Sequence, residues 1–341
     1  MPTVFEQEIR SQGELIRLRT ALGEEEAARV AAAFREVDYV LVAARGSSDN
    51  AAVFFQYFAG QELGLLVALA APSLYEGNTT MRLNGAGVLA ISQSGRTPGL
   101  VNVIEAANEQ GRPSAAITND VESPISRAGA HVIELRAGQE RAVAATKTFT
   151  TTWHALAQLV EALKGSSLEG LETLSDTVDR AATLALSATL PLGLLNAERG
   201  LTVVGRGVGQ AVAAEIALKI REVTGLRAEA YSAADYLHGP IGADGRGSAL
   251  LLVVTDELSS DVAETMLEDC RRLSMSTVVL RASSRDIFSS DAEIVVEEAG
   301  PNWCVALAEV VVGQVLALRV GEIRGRPIDT SPGLTKVTLS A

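Results

Sequence analysis

A chain of 341 residues, 47% apolar and 21% charged, is long enough for two ordinary domains with large cores. A formal net charge of −13 without any Lys/Arg cluster argues against nucleic acid or an anionic membrane as partner, so a phosphate would have to be held by local donors. Cys270 and Cys304 lack metal spacing and fit a reducing cytoplasm; the polar start lacks a signal-peptide core, and no run approaches the ~20 apolar residues of a membrane span.

In chain order, an N-terminal helical segment (1–35) carries a helix over Val4–Ala21. The apolar strand Tyr39-Val-Leu-Val-Ala-Ala ends in Arg45-Gly46; a helical stretch follows and closes at Gly64-Leu65. Val88–Ile91 is continuously apolar, as buried parallel strands are, and runs into Ser92-Gln-Ser-Gly-Arg-Thr97. A helix over Pro98–Glu109 comes next. Ser92, Gln93, Ser94 and Thr97 therefore occupy a loop feeding a helix N-terminus, where free N–H groups and the positive end of the dipole favour an anion. The same composition also suits an ordinary turn and N-cap. Strands at Ser114–Thr118 and His131–Leu135 and a helix over Thr146–Leu163 complete this part.

The pattern then repeats after a helical connector, 166–195. Gly200-Leu-Thr-Val-Val-Gly-Arg-Gly207 overlays the first strand, and Gly207 and Gly225 are as far apart as Gly46 and Gly64. Strands at Ala249–Val254, Ser276–Leu280 and Ala292–Val296 and a helix over Trp303–Gly321 match the rest. The expected fold is α/β: two tandem domains, 36–165 and 196–322, each a parallel sheet flanked by helices in a flavodoxin-like three-layer α/β/α arrangement, with a tail over 323–341. The copies differ in chemistry. Where the first has the hydroxyl loop, the second has Val254-Thr-Asp-Glu-Leu, whose acids would repel a phosphate. The second copy holds Glu215-Ile-Ala-Leu-Lys-Ile-Arg-Glu222, with charges at helical spacing that suit a solvated stripe, and His238 before Gly239-Pro240 at a chain reversal. Trp153 and Trp303 lie in apolar helical segments and read as core; Glu140 and Lys147 read as structural.

Several motifs stand in one order: Ser92-Gln-Ser-Gly-x-Thr97, Val143-Ala-Ala-Thr-Lys147, Glu215-x-Ala-Leu-Lys-x-x-Glu222, Ala228-Glu-Ala-Tyr231, His238-Gly-Pro240 and Gly333-Leu-Thr-Lys-Val337. Together they resemble the tandem sugar-isomerase (SIS) domains of glucosamine-6-phosphate synthase. Arg45-Gly-Ser-Ser-Asp49, Ser94-Gly-Arg-Thr-Pro98 and Arg136-Ala-Gly-x-Glu140 look most like stand-alone SIS-type glucosamine-6-phosphate deaminases. Residue 2 is Pro2, where the synthase has a nucleophilic cysteine after its initiator methionine, so glutamine is not expected to supply the ammonia.

The resemblance implies that Ser47, Ser48, Ser92, Gln93, Ser94 and Thr97 bind the phosphate and that Val143 and Ala145 line the sugar. It gives His238 the opening of the ring, Glu222 the proton transfer between C2 and C1, and Lys336 a Schiff base with the ketose. No metal and no cofactor are expected. The expected partners are a small sugar phosphate and a second copy of the chain, a homodimer whose His238 serves its own or the neighbouring site. Galactosamine 6-phosphate, an amine-linked fructose 6-phosphate and a non-catalytic sugar-phosphate sensor remain as alternatives.

Overall fold

The computed structural model describes residues 2–77, 81–297, 300–331 and 333. Two helices open the chain, α1 (Val4–Arg10) and α2 (Gln12–Ala33). The first copy then runs β1 (Tyr39–Ala43), α3 (Ser47–Leu63), β2 (Leu66–Leu69), β3 (Ala86–Ile91), α4 (Leu100–Glu109), β4 (Ser114–Thr118), α5 (Pro124–Ala128), β5 (His131–Glu134) and α6 (Lys147–Lys164). Helices α7 (Leu174–Ser187) and α8 (Leu192–Leu195) form the connector. The second copy runs β6 (Gly200–Gly205), α9 (Val208–Thr224), β7 (Ala228–Ser232), α10 (Ala233–Leu237), β8 (Ser248–Val254), α11 (Ser260–Arg272), β9 (Ser276–Ala282), β10 (Ala292–Val296) and α12 (Asn302–Ile323).

Both sheets are wholly parallel and share one order, β2-β1-β3-β4-β5 and β7-β6-β8-β9-β10. This is the flavodoxin-like arrangement. Each sheet has five strands, and the edge strands β2 and β7 are additions to the sequence reading. They are short and only partly buried, so neither shows the unbroken apolar run that marks β3, β4 and β8.

The helix expected over Val4–Ala21 is two helices. Ser11 ends α1, its N–H and hydroxyl both donating to the Glu8 carbonyl. Helix α2 then continues twelve residues past Ala21, through Gly23. Gly23 is retained in a helix for room: a Cβ there would lie 2.4 Å from Gln158 Oε1 and 2.6 Å from Arg19 Nη2. Those groups form a buried cluster in which Arg19 Nη1 donates to His154 Nδ1 (2.8 Å) and Gln158 Oε1 (2.7 Å). Burial lowers the Arg19 pKa to about 10, and burial beside Arg19 keeps His154 neutral, its pKa well below the ordinary imidazole value.

The chain resolves into two compact units. One comprises 14–140 and 147–171. In it α3 packs on α6, and Trp153 stacks on Phe54 with ring centroids 3.6 Å apart. The other is built mainly from 172 onward, joined by the residues up to Gly13 and by Arg141–Thr146. Its central helix, α12, packs on α9 and α7. The 22-residue α12 holds an 18-residue stretch of mean hydropathy 1.8, long and apolar enough to cross a bilayer, where the sequence reading found no such run. Its apolar window is 94% buried within the protein, the burial of a core helix.

Two stability predictions follow from these buried groups. Gly23→Ala, favourable by about 1 kcal/mol in an open helix, here forces Arg19 and Gln158 apart; a net loss of roughly 1–3 kcal/mol is expected in denaturant melts, and a gain would show that the cluster yields freely. Burial also holds the Glu309 carboxyl well above its ordinary range, Arg285 opposing and Glu257 reinforcing the shift. The folded chain therefore keeps a proton that the unfolded chain releases, and stability falls as pH rises from the unfolded pKa through the folded one. Glu309→Gln keeps the shape without the titration, so its Tm advantage over the native chain should widen as pH rises above the ordinary carboxylate range. A constant margin would rule out this coupling.

Candidate functional site

In the first sheet the strand order reverses between β1 and β3, and helices α3 and α4 leave from the C-terminal ends of these neighbouring strands. Ligands of open α/β sheets sit at such a crevice. Ser47 and Ser48 are the first two residues of α3, after Gly46 (φ 62°, ψ −134°), which offers no side-chain cap. The helix therefore opens with two hydroxyls at a start that no side chain caps. A Cβ on Gly46 would meet nothing within 4 Å, so the approach to this N-terminus is open.

The loop after β3 is tied into a fixed shape. Ser92 is buried, and its hydroxyl pairs with that of Thr97 at 2.8 Å and accepts the Gly95 N–H at 3.1 Å. The Gln93 carbonyl accepts the Asn119 N–H at 3.1 Å, and the Ser94 hydroxyl accepts the Arg96 N–H at 3.3 Å. Gly95 (φ 64°) is required because a Cβ would lie 1.9 Å from Ser123 Oγ. The structure thus places Ser47 and Ser48 after β1 and Ser92, Gln93, Ser94 and Thr97 after the neighbouring β3.

That reading overlooked the loop's one cation. Arg96 is half exposed and donates to Asp120 at 2.9 Å; Asp120 is itself fixed as the acceptor of the Glu122 N–H. Asp49, one residue past Ser48, has its pKa raised by burial, against the pull of Arg45.

The other expected residues fall in the second unit. Val143 and Ala145 are half-buried in the segment that joins it, where Glu8 accepts the Arg141 and Ala142 N–H groups and the Asp329 carbonyl accepts the Val143 N–H at 3.2 Å. Glu140 and Lys147 are structural, as expected: Glu140 accepts both the N–H and hydroxyl of Thr148 at the start of α6, and Lys147 donates to the Gln139 carbonyl. Lys336 lies outside the described residues.

Glu222 stands on α9 with its side chain 21% exposed. Lys219 Nζ lies 2.5 Å from Glu222 Oε2 and 3.5 Å from Glu215 Oε1, and Lys219 and Glu215 are fully buried. The solvated-stripe reading of these charges is therefore wrong. The signal was present: Val208, Val212, Ile216 and Ile220 stand at helical spacing beside Lys219, so the charges share their face with an apolar stripe that packs inward. Lys219 is the functional candidate that sequence reasoning missed.

His238 caps the end of α10, its N–H donating to the Ala234 and Asp235 carbonyls, and its side chain is exposed. Two residues earlier, Tyr236 is wholly buried and donates to Asp244 at 2.8 Å, and Asp244 also accepts from Thr202 on β6. The imidazole thus rides on a loop anchored from beneath. Among the described residues no hydrogen bond joins Glu222 to His238.

Comparison with known proteins agrees with this architecture. The SIS domain model matches residues 33–162 and 194–320. The chain belongs to the SIS-domain family. A protein from Silicibacter pomeroyi DSS-3, assigned by name to the phosphosugar isomerases, superposes with a TM-score of 0.85 at 30% identity over 96% of this chain and 99% of its own. The C-terminal domain of glucosamine-fructose-6-phosphate aminotransferase from Francisella tularensis superposes equally well at 21% identity, over 97% and 99% of the two chains, which speaks for the fold. Glutamine–fructose-6-phosphate aminotransferase from Sulfurisphaera tokodaii is 29% identical over 305 residues, 89% of this chain and 50% of that protein. The chain spans about half the length of the curated relatives it matches.

Removing the cation between two carboxylates exposes the strain they carry. Lys219→Met should cost about 3–5 kcal/mol of stability, read in urea melts. A loss below about 1 kcal/mol would mean that Lys219 does not hold the pair.

Proposed function

We propose that this SIS protein is an aminosugar-phosphate deaminase acting on glucosamine 6-phosphate, giving fructose 6-phosphate and ammonia. The observation that carries the reading is Glu222, a carboxylate fixed on α9 by a buried lysine. A sensor needs donors for its ligand; it does not need a part-exposed carboxylate held in place at the cost of burying Glu215 and Lys219.

In this reading the hydroxyls and backbone donors of Ser47, Ser48, Ser92, Gln93, Ser94 and Thr97 hold the phosphate, and Val143 and Ala145 line the sugar. His238 moves the proton that opens the ring. Glu222 takes the C2 proton and returns it to C1, leaving an imine at C2. Water adds at that carbon, the C–N bond breaks, and ammonia leaves with the ketose formed. Lys336 takes part as an amine able to form a Schiff base with the ketose. This chemistry is proton transfer and hydrolysis, for which side chains suffice without a cofactor. The protein acts as a homodimer in a reducing cytoplasm; in support, Cys270 and Cys304 are buried free thiols and His238 stands exposed at its loop.

The test is ammonia release from glucosamine 6-phosphate with EDTA present. Activity should survive the chelator, and Glu222→Gln should lower kcat by roughly 10²–10⁴-fold while sugar-phosphate binding persists. Turnover only with galactosamine 6-phosphate or an amine-linked fructose 6-phosphate would move the substrate assignment. Binding of all three without turnover would make the protein a sensor.

A further inference from the structure

The two copies keep a tyrosine at the same place and surround it differently. Counted from the first residue of the leading strand, Tyr39 in β1 and Gly200 in β6, Tyr75 and Tyr236 are equally far along the chain. The third residue of that strand is Leu41 in the first copy and Thr202 in the second. Ala86 and Ser248, which pair with Tyr39 and Gly200, are preceded four residues earlier by Arg82 and Asp244. Two residues beyond the tyrosine stand Gly77 and His238. Leucine and arginine side chains cannot accept a hydroxyl proton. At these positions only the second copy has the groups to tie its tyrosine hydroxyl to the strand, and only that copy carries the histidine.

Those groups are joined. Tyr236 and Thr202 are both buried, and both hydroxyls donate to one oxygen, Asp244 Oδ2, each at 2.8 Å. The bond from Tyr236 to Asp244 closes the segment 236–244 on itself, with His238 and the helical turn Pro240–Ala243 between its ends. Inside the segment the Gly242 N–H donates to the Gly239 carbonyl at 2.9 Å, and the Asp244 N–H to the Ile241 carbonyl at 3.2 Å. Both ends of the piece bearing the exposed imidazole are therefore fastened to β6 through a single carboxylate. Burial keeps the Tyr236 pKa far above the ordinary phenol value, so its hydroxyl remains a donor. Apolar bulk alone would be met by phenylalanine and valine; the two hydroxyls serve the carboxylate.

We propose that Tyr236, Asp244 and Thr202 are positioning residues for His238, a clasp that holds its imidazole where it moves the ring-opening proton. The step served rests on the proposed function; the clasp rests on the geometry. A group that gives and takes a proton must stay within hydrogen-bond reach of the sugar oxygens, and a loop that swings loses that reach. Glu222, which carries the later transfer from C2 to C1, stands on α9 and not on this segment. Loosening the clasp should therefore slow ring opening and spare the later step.

Steady-state ammonia release by the full chain tests it, with glucosamine 6-phosphate and with its 4,5-dideoxy analogue, which lacks the hydroxyls that close a ring. Tyr236→Phe keeps the buried ring and removes the donor. It should lower kcat on the cyclic substrate about tenfold, with KM within about twofold of native. Turnover of the open analogue should stay at the native rate. Asp244→Ala should behave likewise, and Asp244→Asn, which keeps an acceptor oxygen, should recover most of the loss. In a His238→Ala background Tyr236→Phe should cost nothing further. Equal losses on both substrates, a further loss in that background, or an unchanged kcat on the cyclic substrate each overturns the proposal. Should Asp244→Ala not fold, Tyr236→Phe decides; should only the cyclic substrate turn over, the His238→Ala background decides. A native chain that releases ammonia from neither defeats the proposed function instead. Amide hydrogen exchange at 237–239 then decides the clasp: exchange about tenfold faster in Tyr236→Phe supports it, and unchanged exchange overturns it.

Discussion

The chemistry of this chain depends on how its first crossover helices begin. Gly46 and Gly207 hold a backbone state that side chains exclude, with φ near 60° and ψ strongly negative. That turn lets the chain leave a central strand and enter a helix at once, with its first N–H groups directed at the crevice beyond the sheet. A parallel sheet alone would place only strand ends there. Helix starts convert those ends into a partial positive charge, which an acidic protein otherwise lacks the means to offer an anion.

Buried charge is the second organising feature, and it is handled differently in the two units. In the unit holding the hydroxyl loop, Arg19 is enclosed with neutral partners, while Glu26 pairs with Arg136 and also accepts the Glu134 N–H. Glu26 thereby covers the free edge of β5 and holds Arg136 in a left-handed conformation (φ 49°) that a non-glycine residue seldom takes. In the other unit the buried charges lie along one helix face, Glu215, Lys219 and Glu222, with exposure rising only at the last. The first arrangement closes a sheet edge. The second fixes a part-exposed carboxylate, because a lysine with little freedom of its own restricts the group it holds.

Much of this was legible in the sequence for physical reasons. Central strands such as Val88–Ile91 are buried on both faces and read as unbroken apolar runs, and paired glycines at equal spacing marked the duplication. The hydroxyl loop was readable because strand, small residues and helix follow one another directly. The edge strands escaped because a half-buried strand of four or five residues carries too little pattern. The extent of α2 was hidden by Gly23, whose reason is a side chain more than a hundred residues away, Gln158. Lys219 escaped because charges at helical spacing look alike in water and in a core until the apolar residues sharing their face are counted.

Divergence between the copies is what makes the duplication useful. Hydroxyls stand in the loop after β3 and acids in the loop after β8, with strand order, helix length and glycine geometry unaltered. The second copy's distinctive residues then lie on parts the first does not use for anions: the buried face of α9 for Lys219 and Glu222, and the anchored loop after β7 for His238. Fold and function separate here in a simple way. The backbone is kept twice, and side chains at a few strand ends and helix starts set the two copies apart.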